Sequence, residues 1–221
     1  MKTKHLNSVI TAIILALSFS FLYACNEEDS INELNENSIN ELNDNLNAQE
    51  LNDSDKEALL FMLEEEKLAR DTYVFLDNLW SINQFANIKN SEQSHMDAVE
   101  SLLVQYGIDY KILPAGQFTD KTLQDFYDQF ISDGSKSAAD ALQIGATIED
   151  LDIVDLQEYI DATSNTSLIA VFENLKCGST NHLRAFLKGI ENLGDTYTPQ
   201  FLSVDVYNSI INATNQKCGR V

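Results

Sequence analysis

The 221-residue chain carries 35 acidic and 14 basic side chains, a net charge of −21, with 44% hydrophobic and 9% aromatic residues. That is enough apolar material for a folded core, so wholesale disorder is excluded, and the length suits one domain plus tails. An acidic excess this large repels phosphate and argues against nucleic acid as a partner. Two prolines and eight glycines set among long Leu-, Asp- and Glu-rich stretches indicate helices, and three cysteines are too few for a disulfide scaffold.

Lys2 and Lys4 precede an apolar run from about Val9 to Tyr23, which ends in Leu22-Tyr23-Ala24-Cys25. A charged start, an apolar stretch short for a membrane span and a small residue before the cut make residues 1–24 a signal peptide. The cysteine directly after Ala24 resembles the lipobox of bacterial lipoproteins. That resemblance implies a lipid on Cys25, attachment to a membrane and a place in the bacterial cell envelope, at the outer membrane or cell surface. Tyr23 is bulkier than the pattern prefers, so ordinary cleavage after Ala24 is the alternative. Cleavage removes two lysines and no acid, which takes the net charge from −21 to −23.

Residues 25–53 read as a disordered, acidic, Asn-rich tether. Ser30-Ile31-Asn32-Glu33-Leu34-Asn35-Glu36-Asn37 recurs almost unchanged as Ser38-Ile39-Asn40-Glu41-Leu42-Asn43-Asp44-Asn45. A repeat this polar has too little apolar surface to offset the entropy of ordering it. Glu27-Glu28-Asp29, just after the cysteine, resembles the export signals of surface lipoproteins in some bacteria.

Residues 54–221 form one domain. Ser54-Asp55-Lys56-Glu57 fits a capping box that opens a helix running to about Trp80. A second helix spans roughly Asn87 to Tyr106 and stops at Gly107. A Gly- and Pro-containing connection carries a short helix near Lys121–Ser132, ended by Asp133-Gly134. A third long helix covers about Lys136 to Ala162, a fourth about Thr166 to Leu193, and a last short one about Ser203 to Ala213. Four long helices with one longer connection between the second and third match an all-α, antiparallel four-helix bundle.

The bundle-facing seams are interrupted at mid-length. The second helix reads Ile88, Glu92, His95, Val99, Leu102, Tyr106; the third reads Ala138, Leu142, Gly145, Glu149, Asp152, Leu156, Tyr159. The fourth reads Leu168, Phe172, Leu175, Ser179, His182, Phe186. In the first helix Glu66 lies three or four residues from Met62, Leu63 and Ala69, and seven from Tyr73. A helical wheel alone slightly favours Glu65 as the inward residue, and the run Glu64-Glu65-Glu66 otherwise reads as a solvated face. An unpaired carboxylate in a bundle core is costly or becomes protonated, so four interrupted helices require a shared partner. His95 and His182, the two histidines outside the signal peptide, both fall on seams. With Glu66, Glu92, Glu149 and Asp152 they make an oxygen and imidazole set suited to one or two divalent cations: iron, manganese or zinc.

Several phrases resemble known families. Glu66-Lys67-Leu68-Ala69-Arg70-Asp71-Thr72-Tyr73 is similar to the first-helix Glu-x-x-Ala-x-x-x-Tyr of rubrerythrins and bacterioferritins, and Glu92-Gln93-Ser94-His95 to their second-helix Glu-x-x-His. Glu149-Asp150-Leu151-Asp152 resembles a third-helix Glu-x-x-Glu with aspartate in the last place. Ser179-Thr180-Asn181-His182 falls where the fourth helix carries Glu-x-x-His, so Ser179 replaces a carboxylate. More narrowly, Glu64 to Asp71, Ile148 to Ile153 and Gly178 to Phe186 resemble domain of unknown function 2202, an uncharacterised ferritin-like family, over about residues 57–205. The resemblance implies a ferritin-like bundle whose core holds one or two metals, iron foremost, and a redox reaction such as ferrous oxidation or reduction of oxygen or peroxide. Asp152 or a water would stand in for the carboxylate that Ser179 lacks.

Tyr73 is expected to hydrogen-bond a ligand carboxylate, whereas Tyr106 and Tyr159 read as core aromatics. Arg70 and Arg184 either pair with surplus carboxylates or snorkel to the surface. Asp150 and Asp155 read as solvent charges. Cys177 and Cys218 in an oxidising compartment invite a disulfide, with free thiols as the alternative. No motif names a redox partner, and a homodimer is compatible with the bundle. The rival class is a metal-free surface binding or adhesion module in which the bundle is only a scaffold.

Overall fold

The interrupted apolar stripes become six helices in a computed structural model that describes residues 51–214 and 217–219. The expected signal peptide (1–24), the expected lipidation site Cys25 and all of the tether before residue 51 lie outside the described residues. In chain order the helices are α1 (Asp53–Trp80), α2 (Asn83–Gln105), α3 (Lys121–Gly134), α4 (Ala138–Ala162), α5 (Thr166–Asn192) and α6 (Val204–Asn212). The fold is all-α. Among the described residues no helix is long and apolar enough to cross a membrane.

Helix ends follow local side-chain chemistry. The capping box at the start of α1 is Asn52 with Asp55, not Ser54 with Glu57: the Asp55 N–H donates to Asn52 Oδ1 at 2.8 Å and the Asn52 N–H donates to Asp55 Oδ2 at 3.2 Å. Leu51 is already buried in the core, which carries the folded segment into the last residues of the expected tether. Asp120, Ser137, Asn165 and Ser203 cap α3 to α6 in the same way. At the end of α2, Gly107 takes φ +63°, and the Gly107 and Ile108 N–H groups turn back onto Val104 O and Leu103 O.

Helices α1, α2, α5 and α4 form a ring in which α1 packs on α2 and α4, and α5 packs on α2 and α4. Neighbours are antiparallel. Arg70 meets Gln93 and Asp77 meets Lys89 across α1 and α2, while Asp152 meets Ser179 and Gln157 meets Lys176 across α4 and α5. Helices α2 and α4 therefore run the same way across the diagonal. The chain leaving α2 must travel the length of the bundle before α4 can begin, and α3 does part of that work while packing on α1 and α4.

Lys67 pins this crossover. Its Nζ is 2.6 Å from Asp71 Oδ2, donates to Pro114 O and Gln117 O at 3.1 and 3.0 Å, and sits 4.1 Å from the Phe118 ring centre. Asp71 also accepts from the Gly116 N–H and from Arg70, and Glu64 accepts from the Thr119 and Asp120 N–H groups at the head of α3. Glu64 is thus half-buried and engaged, unlike the solvated residue its sequence context suggested.

Two apolar clusters make up the core. One contains Met62, Leu63, Met96, Val99, Leu156, Phe172 and Leu175, the other Leu68, Tyr73, Leu76, Phe85, Ile88, Leu142, Phe186 and Ile190. All four long helices pass from one cluster to the other at mid-length. The polar interruptions read from the sequence lie at those four crossings.

Asp150 departs from expectation. It is fully buried rather than a solvent charge, and it accepts from the Tyr197 hydroxyl at 2.7 Å and from the N–H groups of Gln200, Phe201 and Leu202. One carboxylate thereby fastens the segment that leads into α6. Cys177 and Cys218 are joined as a disulfide with Cα atoms 5.6 Å apart, tying the residues after α6 back to α5. Replacing Asp150 by Ala strands four donors, those of Tyr197 and Leu202 buried, and a loss of about 3 kcal/mol in unfolding free energy is expected from denaturant titration.

Candidate metal centre

The polar layer between the clusters is built from one or two side chains per long helix. Glu66 and Tyr73 come from α1, Glu92 and His95 from α2, Glu149 and Asp152 from α4, and Ser179 and His182 from α5. An i, i+3 spacing places Glu92 and His95 on one face of α2, and the antiparallel partner α5 presents His182 to the same space. Glu66, Glu92 and Glu149 are 1%, 1% and 2% exposed, and His95 is 7% exposed.

Two triads result. His95 Nδ1 lies 3.1 Å from Glu66 Oε2 and 2.9 Å from Glu92 Oε2, while His182 Nδ1 lies 2.9 Å from Glu92 Oε1 and 3.4 Å from Glu149 Oε2. Within each set, Glu66–Glu92–His95 and Glu92–Glu149–His182, one ligand atom per residue falls within 4.8 Å of the others. Glu92 belongs to both. The imidazole rings stack with centroids 5.5 Å apart, so the sets adjoin. The Tyr73 hydroxyl donates to Glu149 Oε1 at 2.6 Å and so fixes that carboxylate. Glu66 Oε1, Glu92 Oε1 and His182 Nδ1 are buried without a hydrogen-bond partner. His182 Nδ1 and Glu92 Oε1 are close but out of line for a hydrogen bond. Buried carboxylate oxygens and an imidazole nitrogen that face one another without a hydrogen bond suit a cation between them once their protons leave.

Asp152 and Ser179 behave differently from the expected ligands. Ser179 donates to Asp152 Oδ2 and also to Leu175 O. Asp152 is buried in the layer, but it belongs to neither triad, so the structure places five of the six expected ligands in the two sets and leaves the sixth beside them. The Ser179 hydroxyl engages the Asp152 carboxylate. The choice between Glu65 and Glu66 resolves in an unexpected way: both are buried, at 2% and 1%, with Glu66 facing the imidazoles and Glu65 facing Asp152 and Asp155. Asp155 is half-buried rather than a free solvent charge.

Other candidates are engaged elsewhere. Arg70 bonds Asp71 and Gln93, and Arg184 bonds Asn181 and Ile210 O, away from the ligand carboxylates. Tyr106 pairs with Asn165, and Tyr159 packs on Phe61 and Phe172. Gly178 escaped notice in the sequence. A Cβ there would stand 2.7 Å from His95 Nε2, so glycine makes room for the ring. The imidazole edges border a cleft of about 460 Å³ with Ser91, Ser94, Asn174 and Asn181, under the disulfide-tethered Cys218 and Gly219.

The layer is electrostatically loaded. Burial raises Glu66 to about 7, with His95 lowering it and Glu92 raising it; burial and the Glu92 charge likewise raise Glu149 to about 7 against the pull of His182. Burial alone would lower the two imidazoles and raise Glu92. Instead, Glu92 and Glu149 lift His182 to about 10, Glu66 and Glu92 lift His95 well above its ordinary value, and both histidines hold Glu92 below the usual carboxylate range.

An all-α bundle with a buried layer of carboxylates and imidazoles at mid-height is the class that the fold and the site define. The chain belongs to the family described as an uncharacterized protein domain, DUF2202, which matches residues 55–214. It is 44% identical over 171 residues to the uncharacterized protein MJ0754 of Methanocaldococcus jannaschii, covering 76% of this chain and 92% of that one. The crystal structure of the hypothetical protein MJ0754 superposes with a TM-score of 0.75 at 45% identity, over 76% of this chain and 97% of that chain.

A carboxyl group that holds its proton more tightly folded than unfolded contributes stability at low pH and loses it as pH climbs to the folded value. For Glu66 and Glu149 the window runs from 4.5 to about 7, and for the raised His182 from 6.5 to about 10. Glu92 has the opposite sign and weakens the fold only in stronger acid. The thermal midpoint of the metal-free chain is therefore expected to fall from about pH 5 to about pH 9, and Glu66→Gln with Glu149→Gln to flatten the lower half of the decline. A midpoint that rises over this range contradicts the reading.

Proposed function

We propose that the chain is a ferritin-like metal protein holding one or two transition-metal ions, iron foremost, in the polar layer of its bundle. The single observation that carries this reading is the pair of triads sharing Glu92, each with one imidazole and two carboxylates inside 4.8 Å. Imidazole nitrogen with carboxylate oxygen is the donor set of iron, manganese and zinc sites, and a carboxylate common to both sets is the one that two ions would share. Glu66 and His95 would hold one ion, and Glu149 and His182 the other.

A bound iron pair would supply one-electron redox chemistry toward oxygen or peroxide. The chain's own residues set the conditions for it. Tyr73 orients Glu149 through its 2.6 Å hydrogen bond. The apolar clusters on either side exclude water from above and below the layer. The cleft beside His95 and His182 offers a small polar ligand an approach past Ser91, Ser94 and Asn174. Glu66 and Glu149 sit near 7, so they retain protons that a cation must displace, and metal uptake releases acid into solution. A lipid on Cys25 would hold this domain outside the cytoplasm at the cell envelope; that cysteine belongs to the proposal and lies outside the described residues.

Metal analysis of the full chain produced with iron tests the reading. The expected result is one or two metal ions per chain, lost to a chelator together with several degrees of thermal midpoint. His95→Ala combined with His182→Ala is expected to remove most of that metal. A content near zero that the double substitution does not change returns the bundle to the metal-free scaffold class.

A further inference from the structure

The two imidazoles turn Nδ1 toward the carboxylates of the layer and border the cleft between α2 and α5 with their other edges. Their side chains are only 9% and 12% exposed. What stands over that cleft therefore governs contact between the rings and solvent. Ser91 and Ser94 line it from α2, Asn174 and Asn181 from α5, and Cys218 with Gly219 from beyond α6.

Little apolar burial holds those last two residues in place. Ala213, Thr214, Lys217 and Gly219 are exposed, and Cys218 is the one described residue after α6 that is half-buried. A segment with so few buried contacts opens at low cost unless something else ties it. The tie is the bond from Cys218 to Cys177 on α5. Asn181 donates to Cys218 Sγ at 3.2 Å, so that contact ends on the same sulfur. Gly219 lies against Asn174, since a Cβ there would meet Asn174 Oδ1 at 2.8 Å. The other fixings of the C-terminal region, Asp150 to Leu202 and Arg184 to Ile210 O, all precede the end of α6 and do not depend on the disulfide.

We propose that the Cys177–Cys218 bond is a thiol-operated latch that keeps Cys218 and Gly219 over the imidazole edges and so restricts passage between solvent and the polar layer. Both cysteines are half-buried rather than sealed in the core, which leaves the bond open to thiol–disulfide exchange. A dithiol opens the latch. Its two sulfurs join as the Cys177–Cys218 bond breaks, and the two electrons and two protons it gives up leave Cys177 and Cys218 as thiols. The latch goes beyond the metal-centre reading because it needs no ion; where an ion is bound, the closed latch slows its exchange.

Reaction of the metal-free full chain with diethyl pyrocarbonate at one fixed pH, read at each histidine by mass spectrometry, tests it. His95 and His182 are expected to react at least tenfold faster after reduction with dithiothreitol, which is removed before labelling. Cys177→Ser with Cys218→Ser is expected to show that faster rate with or without prior reduction. Asp150→Ala lowers stability and leaves the disulfide in place, so its rates are expected to stay within twofold of the oxidised wild type. Equal rates in the oxidised, reduced and serine forms overturn the latch. An equal rise in Asp150→Ala also overturns it, because lost stability then accounts for the exposure. None of these rates depends on bound metal, so a chain that takes up no ion refutes the metal centre and leaves the latch to be judged by its own result.

Discussion

The arrangement turns on a conflict between burial and charge at the middle of the bundle. Glu65, Glu66, Glu92, Glu149 and Asp152 are all nearly inaccessible to water, and only two imidazoles stand among them. In a low-dielectric interior such groups cannot all be ionised without partners, and their values move accordingly: Glu66 and Glu149 rise to about 7 and His182 to about 10. Protons can relieve the conflict in part. Cations relieve it more fully, because a single divalent ion that displaces the protons can engage several carboxylate oxygens and imidazole nitrogens at once, such as Glu92 Oε1 and His182 Nδ1.

The rest of the fold keeps that layer intact. Apolar clusters above and below supply the hydrophobic burial that the layer cannot. The crossover from α2 to α4 is held by a buried lysine rather than by apolar packing alone, since Lys67 ties Asp71 to the carbonyls of Pro114 and Gln117. Placing this cation one residue after Glu66 yet directing it to Asp71 keeps it from neutralising the centre. The C-terminal segment is secured twice, by Asp150 and by the Cys177–Cys218 bond, and the disulfide brings Cys218 over the cleft beside the imidazoles.

The departures from simple periodicity share one cause: a helix face is legible from spacing, but a neighbour's contribution is not. Asp150 has the look of a solvent charge because it falls off the α4 seam. The segment from Tyr197 to Leu202, some fifty residues on, covers it and supplies its four donors. Glu65 and Glu66 differ by 100° around α1, and both are buried because α4 covers one direction while α2 and α5 enclose the other. Asp152 was legible as an inward residue. Its separation from the triads depends on the Ser179 hydroxyl across the seam, which no pattern within α4 could show.

The amino-acid order by itself determined the helical class, the number and approximate ends of the long helices, and the mid-length interruptions with Glu92, His95, Glu149 and His182 upon them, while on the first helix it left Glu65 and Glu66 both open. These are local properties, written in the 3.6-residue period and in capping side chains. Only the tertiary structure decided that Glu66 completes two sets sharing Glu92 with those four, that Glu65 is buried as well but outside both sets, and that Lys67, Asp150 and Gly178 act as supports. Each of those outcomes is fixed by which helix lies against which and in what register. That choice comes from packing summed over the whole core, in which no single residue's identity announces its partner.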